Sequence, residues 1–306
     1  VAGRAIAERR RRLWAAGVVL GCFWLAYAAW SPGWKTPMPV GSALLGITVI
    51  LLLFLGWLPW HILRRRTALT GGLLALPAVS AGAYFLAAYD LLQPEYARYG
   101  GLFTLGLAVL HLAVGARLWE EQKAESRDLR PALLCVGIAV GLLTLAAPIQ
   151  FSGYRITMAW ALEAAALAWV GTRAREARAL WAALGVFGLV LLRLLFLDSW
   201  MYPSADAYTT LWNARFLTFL ISTACLWLAA AWIREAPMAG APYVGGHFVL
   251  LWSLLLEAAG WAARSVPGED LPSIRSLLVT ILMAAYGVLL VGAGVWTRLP
   301  LNRLLG

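Results

Sequence analysis

The chain has few of the residues from which soluble catalytic sites and metal sites are built. Only 13% of its 306 residues are charged, whereas about a quarter are charged in an average soluble domain. An ordinary soluble globular domain is therefore excluded. The three cysteines, Cys22, Cys135 and Cys225, lie inside apolar runs without metal-ligand spacing, so neither a disulfide framework nor a zinc site is predicted. No phosphate loop or nucleotide fingerprint occurs, and no cofactor is predicted.

Most of the chain is apolar. Hydrophobic residues make up 62% of it, and they are grouped in runs of about 18–24 residues, long enough to cross about 30 Å of hydrocarbon. The runs lack the polar face that a soluble core helix shows every turn. The sequence therefore predicts an all-α, polytopic transmembrane helix bundle with about ten spans, at residues 13–30, 42–63, 71–92, 100–118, 131–150, 156–173, 179–198, 214–233, 246–263 and 275–297.

The basic residues predict how the chain is oriented. Of its 25 lysines and arginines, 18 fall on the side that holds the N-terminus and 6 on the other, while Arg193 lies within a span. Because basic residues are enriched in cytoplasmic loops, the N-terminus is predicted to be cytoplasmic. The same clustering between apolar runs makes the net charge of +10 a topology signal. The expected partner is the lipid bilayer, and no nucleic acid is expected.

The sequence also contains an internal repeat. The stretch from Trp160 to Gly171 aligns, 123 positions later, with the stretch from Met283 to Gly294. Four helices per copy would give every copy the same orientation, so parallel repeats are predicted rather than the inverted repeats of many transporters. Because the third copy stops at Gly306 and the chain starts with Val1, we expect a piece of a longer protein. The predicted borders are a basic tail at 1–12, repeats at 13–130 and 131–245, and a partial repeat at 246–306.

Three segments carry a resemblance to a known family. They are Gly153-Tyr-Arg155 followed by the helix with Glu163, then Asn213-Ala-Arg215-Phe216, and finally Trp296-Thr-Arg298 after the Tyr286 helix. Together they resemble the bacterial predicted membrane proteins of domain of unknown function 2339. The resemblance covers most of residues 131–306. It implies a protein with many spans in a bacterial cytoplasmic (inner) membrane, and it offers no established catalytic residues to carry over.

Three charged side chains stand out because they lie well inside predicted spans, where a charge near the helix centre costs about 2.5–3.5 kcal/mol. They are Glu163, Arg193 and Glu257, each roughly 8–10 Å below the outer end of its span, so they form one intramembrane polar layer. Because their spans are joined by a short turn, Glu163 and Arg193 are predicted to form a buried ion pair. The favoured interpretation is a structural pair that fixes helix register. The alternatives are a proton-relay or ligand site facing an outer cavity, and snorkelling toward the interface.

Two further groups of candidate residues were identified. Asp90, Asp198, Asn213 and Arg215 are predicted to lie at the outer face, where they would suit a polar substrate such as a sugar or a lipid headgroup. For Asp198, local capping or pairing is the favoured interpretation. His111 lies near mid-membrane, at the depth of a pigment or haem ligand, although a buried histidine bonded to a neighbour is favoured.

These patterns favour a non-catalytic subunit or scaffold of a membrane complex, with other membrane protein subunits as expected partners. Parallel repetition, short loops and the lack of a convergent polar site support this hypothesis. The first alternative is a transporter or channel that uses the layer of Glu163, Arg193 and Glu257. The second alternative is an enzyme that modifies envelope lipid or glycan at the outer face.

Overall fold

A computed structural model describes residues 15, 17–27, 40–65, 71–124, 129–201, 209–233, 236–298 and 300–306. The predicted basic tail at residues 1–12 lies outside them. Within these ranges the secondary structure is helical and contains no strand. The helices are α1 (Gly17–Tyr27), α2 (Val40–Arg65), α3 (Gly71–Tyr96), α4 (Gly100–Ala124), α5 (Arg130–Gln150), α6 (Tyr154–Ala174), α7 (Ala177–Phe196), α8 (Ala214–Trp232), α9 (Ala236–Ser265), α10 (Leu271–Trp296) and α11 (Pro300–Leu305).

Among the described residues, eight helices are long and apolar enough to cross a membrane: α2 to α5 and α7 to α10. The predicted all-α, polytopic membrane architecture is confirmed. The other two predicted spans differ from these eight. The described part of the first is the shorter apolar helix α1, and the sixth corresponds to α6, which has the expected length but carries Arg155, Glu163 and Arg173.

Helix α6 can be less apolar than the other spans because neighbouring helices cover much of its surface. Its inward face is made largely of alanines, including Ala161, Ala164 and Ala168, which are all fully buried. Small side chains allow neighbouring helix backbones to approach closely, which is how helices associate where lipid offers no hydrophobic driving force. A helix surrounded in this way is stabilised by packing and does not need a fully apolar surface of its own.

Pro94, Pro237 and Pro242 lie outside the predicted spans but within helices. Helix α3 continues past Pro94 to Tyr96, and α9 begins at Ala236, so that Pro237 falls in its first turn and Pro242 inside it. A proline in the first turn removes an N–H that would have no helical partner anyway. Within membrane helices, neighbouring groups can satisfy the carbonyl that an interior proline frees.

The first packing unit runs from Val1 to Gln150. In it α2 packs on α3, α4 packs on α5, and α3 contacts both α4 and α5. Ile47, Tyr84 and Leu107 are among its buried core residues. Helices α4 and α5 approach closely at Gly115, where an added Cβ would lie 3.1 Å from the Cβ of Cys135. Here too a small residue sets the distance between two helices.

The second packing unit runs from Phe151 to Gly306. Helix α6 packs against α7 and α8, α8 against α9, α9 against α10, and α10 against α11. Its core includes Val190, Phe219 and Leu226, each no more than 1% exposed. These two units are defined by packing contacts and not by repetition of the sequence. The predicted repeat borders at residues 130 and 245 therefore stay predictions.

Two tight helix–helix turns in the second unit share one construction. After α6, Arg175 adopts a left-handed conformation with φ 54° and donates its N–H to Gly171 O. A Cβ on Gly171 would lie 3.1 Å from the backbone nitrogen of Leu180 in α7. After α10, Arg298 has φ 58°, and a Cβ on Gly294 would lie 2.8 Å from a backbone nitrogen of α11. In both turns, glycine permits the contact between the paired helices.

Candidate functional site

One end of the second unit holds a layer of buried polar side chains. It is formed where α6 begins, α7 ends and α8 begins, together with the last third of α9. Thr157 and Asp198 are 0% exposed, Arg215 and Glu257 are 2% exposed, and Asn213 is 9% exposed. Buried charge of this kind is stable only when it is paired and hydrogen-bonded. The contacts divide the layer into two ion-paired clusters.

The first cluster is centred on the Glu257 carboxylate of α9. Its Oε1 accepts a hydrogen bond from Arg215 Nη2 at 2.9 Å, which is also an ion pair. Its Oε2 accepts from Asn213 Nδ2 at 2.9 Å and from the backbone N–H of Leu211 at 3.0 Å. Both oxygens therefore act as hydrogen-bond acceptors in these contacts.

The chain before α8 is shaped to present these donors. Asn213 is the N-cap of α8, and its Oδ1 accepts from Phe216 N at 2.9 Å. Capping with the oxygen directs the amide nitrogen of the same side chain toward Glu257. Leu211 has φ 63°, a left-handed conformation that a bulky residue seldom adopts. The hydrogen bond from Leu211 N to Glu257 compensates for that conformation.

The second cluster joins the end of α7 to the start of α6. Arg193 Nε donates to the hydroxyl of Thr157 at 3.0 Å and lies 3.7 Å from Asp198 Oδ1. Arg193 Nη2 donates to Gly153 O at 3.1 Å. The Thr157 hydroxyl donates to Asp198 Oδ2, so it bridges the cation and the carboxylate. Asp198 begins a 3₁₀ turn, Asp198–Trp200, that follows α7.

Further contacts hold this turn against α6 and α9. Ser199 Oγ donates to Leu194 O at 2.6 Å and accepts from Trp252 Nε1 of α9 at 2.9 Å. The Tyr154 hydroxyl of α6 donates to Met201 O. The two ends of the connection between α7 and α8 are thus fixed separately, one by Arg193 and Asp198 and the other by Arg215 and Glu257.

The structure regroups the residues that the sequence singled out. Glu257 was assigned to the intramembrane layer, and Asn213 and Arg215 to the outer face, yet the three meet in one cluster. Arg193 contacts Gly153, Thr157 and Asp198, and the predicted pairing with Glu163 is not among these contacts. Glu163 is 8% exposed in α6.

The remaining two predicted residues lie in the first unit, away from these clusters in the chain. Asp90 is exposed near the end of α3. His111 is 1% exposed in α4, and its Nδ1 lies 2.8 Å from Leu107 O. Because a carbonyl oxygen can only accept, Nδ1 carries the proton in this contact. The hydrogen bond is the kind expected of a histidine bonded to its own helix.

Sequence reasoning missed an aromatic cluster around His247 in α9. Its Nδ1 lies 2.8 Å from the hydroxyl of Tyr286, and its ring centroid lies 5.0 Å from that of Trp227. The hydroxyl of Tyr243 donates to Asn302 of α11. Thr157 was also missed. Its sequence signal was weak, since a threonine in a membrane helix most often bonds its own backbone.

The arrangement neutralises charge within the protein. Each cluster pairs one arginine with one carboxylate, and the side chains of Arg215 and Glu257 are each 3% exposed. Within the described ranges, no group of three or more His, Cys, Asp or Glu side chains is placed to hold a metal ion. Chemically, these contacts join four helices, α6 to α9, and the connection between α7 and α8.

Comparison with known protein families identifies the family to which this chain belongs. Residues 1–304 match the family described as Predicted membrane protein (DUF2339). No curated protein and no solved structure matches the chain. Since the match spans nearly the whole chain, and the part of the chain that the structure describes has eight helices apolar enough to span a membrane, this integral membrane protein belongs to the DUF2339 family of predicted membrane proteins.

Proposed function

We propose that the chain is a non-catalytic subunit or scaffold of a membrane complex in a bacterial cytoplasmic membrane, with its N-terminus in the cytoplasm. The observation that carries the proposal is the Arg215–Glu257 pair, at 2.9 Å and almost completely buried. A carboxylate that accepts three hydrogen bonds from its own protein holds helices together. A transport or catalytic carboxylate instead needs access for water, an ion or a substrate.

The two turns after α6 and α10 support a second part of the proposal, which is that the chain is built from parallel repeats. Gly171 and Arg175 recur as Gly294 and Arg298, both 123 positions later. Both arginines have a left-handed backbone conformation, and both glycines lie against the backbone of the next helix. Repeated helical units with short connections suit a scaffold, because they extend an apolar surface on which other membrane helices can pack.

The experiment is purification of the tagged chain from native membranes in mild detergent, followed by native mass spectrometry. We expect a complex of fixed stoichiometry that contains other membrane proteins. Glu257→Gln should reduce its recovery, because the start of α8 loses its anchor on α9. The control is Glu121→Gln, which alters a partly exposed carboxylate that pairs with Arg117. A chain recovered alone, or only as copies of itself, would contradict the scaffold role.

A second candidate function, transport, is favoured by one specific observation. Asp198 Oδ1 is buried and accepts no hydrogen bond from the part of the chain that the structure describes, so it retains capacity for a proton. If the polar layer carries protons through this oxygen, Asp198→Asn should abolish flux in proteoliposomes, whereas Thr157→Val, which removes a neighbouring hydroxyl but keeps the carboxylate, should not. Flux of the Asp198→Asn variant equal to that of the unaltered chain would exclude this role for Asp198. The enzyme hypothesis is less favoured, since a substrate would have to reach Asp198, which is 0% exposed.

A further inference from the structure

A groove of about 630 Å³ lies at the other end of α6, beside the tight turn to α7 and the end of α8. Its volume is within the roughly 300–1,000 Å³ typical of small-molecule sites. Its lining comes from three helices that the core holds together. The residues on which its chemistry depends are Trp169, Arg173, Arg175, Leu180, Trp232 and Ile233.

The groove combines positive charge with an apolar floor. Arg173 and Arg175 are both exposed, and the guanidinium carbon of Arg173 lies 5.6 Å from the centroid of the Trp169 ring. The floor includes Leu180, 6% exposed, and Ile233, 2% exposed. No acidic residue is among the lining residues in the described part of the chain, so the charge of the groove favours an anion.

The position of the groove indicates where its ligand comes from. Along α6, Arg173 is 16 residues from Thr157, a distance of about 24 Å at 1.5 Å per residue. The groove and the buried polar layer therefore lie near opposite faces of a hydrocarbon core about 30 Å thick. Trp169 and Trp232 are at the depth where tryptophans mark the headgroup region. A ligand at this depth can approach from within the bilayer.

We propose that this groove binds the phosphodiester headgroup of an anionic phospholipid. Arg173 and Arg175 hold the phosphate through charge-assisted hydrogen bonds. The glycerol backbone and the first methylene groups lie over Leu180, Ile233 and the Trp232 ring. A free phosphate ion would use the two arginines but would leave the apolar floor uncovered, and for that reason the lipid is the occupant that the lining fits.

The first test uses the unaltered chain. It is purified in detergent, and native mass spectrometry measures its binding of phosphatidylglycerol and, separately, of zwitterionic phosphatidylcholine. We expect one phosphatidylglycerol to be retained at lipid concentrations where phosphatidylcholine is lost. Millimolar inorganic phosphate should not displace it. Equal retention of both lipids would overturn the proposal. Complete displacement by inorganic phosphate would also overturn it, in favour of a free-anion site.

The second test separates this groove from general attraction of basic residues to anionic lipid. An arginine near an anionic membrane surface contributes about a five-fold gain in binding, so Arg173→Gln and Arg175→Gln should each weaken phosphatidylglycerol binding about five-fold. The matched control is Arg178→Gln, which removes the same charge from the beginning of α7. Arg178 is exposed and is not among the lining residues.

The control variant should bind phosphatidylglycerol as the unaltered chain does. If all three variants weaken binding equally, the attraction is unspecific and the groove is not the site. Since both lining arginines are exposed, their replacement should leave the unfolding temperature unchanged. If a variant fails to fold, the lipid comparison on the unaltered chain still decides the proposal. The test is independent of the scaffold role, because lipid binding is measured on the isolated chain.

Discussion

Replacing Glu257 with glutamine removes the negative charge that Arg215 contacts inside the second unit. This carboxylate accepts hydrogen bonds from Arg215 Nη2, Asn213 Nδ2 and Leu211 N. The glutamine side chain has one oxygen and one NH2 group, so only one of its two terminal atoms can accept hydrogen bonds from these donors. Its NH2 group must face either the guanidinium or the two neutral donors.

The expected loss of stability follows from burial. Breaking a buried ion pair by removing one partner costs about 3–5 kcal/mol, because the remaining charge is left without its counter-ion. Both side chains here are 3% exposed, so solvent screening is slight. In a domain of about 150–250 residues, a size that includes the second unit, each kcal/mol lowers the unfolding temperature by about 2–4 °C, so a decrease of about 6–20 °C is expected. Differential scanning fluorimetry of the purified chain in detergent measures it.

The chain provides a matched control for this measurement. Arg117 and Glu121 also lie 2.9 Å apart, but their side chains are 69% and 32% exposed. An exposed pair one helical turn apart contributes about 0.3–0.5 kcal/mol, so Glu121→Gln should lower the unfolding temperature by no more than about 2 °C. The combined Arg215→Gln and Glu257→Gln variant should lose less than the sum of the two single losses. If Glu257→Gln and Glu121→Gln lower the unfolding temperature by the same small amount, burial does not set the strength of these ion pairs.

Further tests concern the second ion pair, the tight turn after α6 and the orientation of the chain. Thr157→Val keeps the shape but removes the hydroxyl that bridges the second ion pair, so the free energy of unfolding should fall by about 1–3 kcal/mol in denaturant titration. Gly171→Ala places a methyl group against the α7 backbone and should cost about 1–3 kcal/mol, whereas Gly188→Ala, with nothing within 4 Å of the added carbon, should be neutral or slightly stabilising. A membrane-impermeant maleimide should label Glu269→Cys in intact cells and Glu176→Cys only after lysis; the reverse pattern would contradict a cytoplasmic N-terminus.

The membrane architecture could be predicted from the sequence because hydropathy acts locally. A run of apolar residues determines a span whatever its neighbours are. Helix α6 shows the limit of this reasoning: its alanines and Glu163 make it less apolar than the other spans, and its burial depends on α7 and α8. Helix α9 shows a second limit, because it continues through Pro242, which lies outside the predicted span.

The partners within the polar layer were harder to predict than its members. Glu257, Asn213 and Arg215 were all selected as candidates, but depth along a helix does not give the direction of a side chain. The Arg215–Glu257 pair joins residues 42 positions apart, and it depends on the left-handed Leu211 and on the cap at Asn213. Arg193 has a local partner, Asp198, because the chain turns directly after α7. Neither the left-handed conformation of Leu211 nor the turn after α7 has a distinctive sequence signal.

The central claim is that the charged layer is a dry, paired contact between helices, and cysteine accessibility tests it most directly. Ser253, one turn before Glu257 in α9, is 2% exposed, while Ser152 before α6 is exposed. Each is replaced by cysteine in a chain whose own cysteines are changed to alanine, and a small hydrophilic thiosulfonate is applied. If local opening costs about 3 kcal/mol or more, Ser253→Cys should react about a hundred-fold or more slowly than Ser152→Cys. Comparable rates would mean that water reaches the layer, and they would contradict the structural role proposed for it.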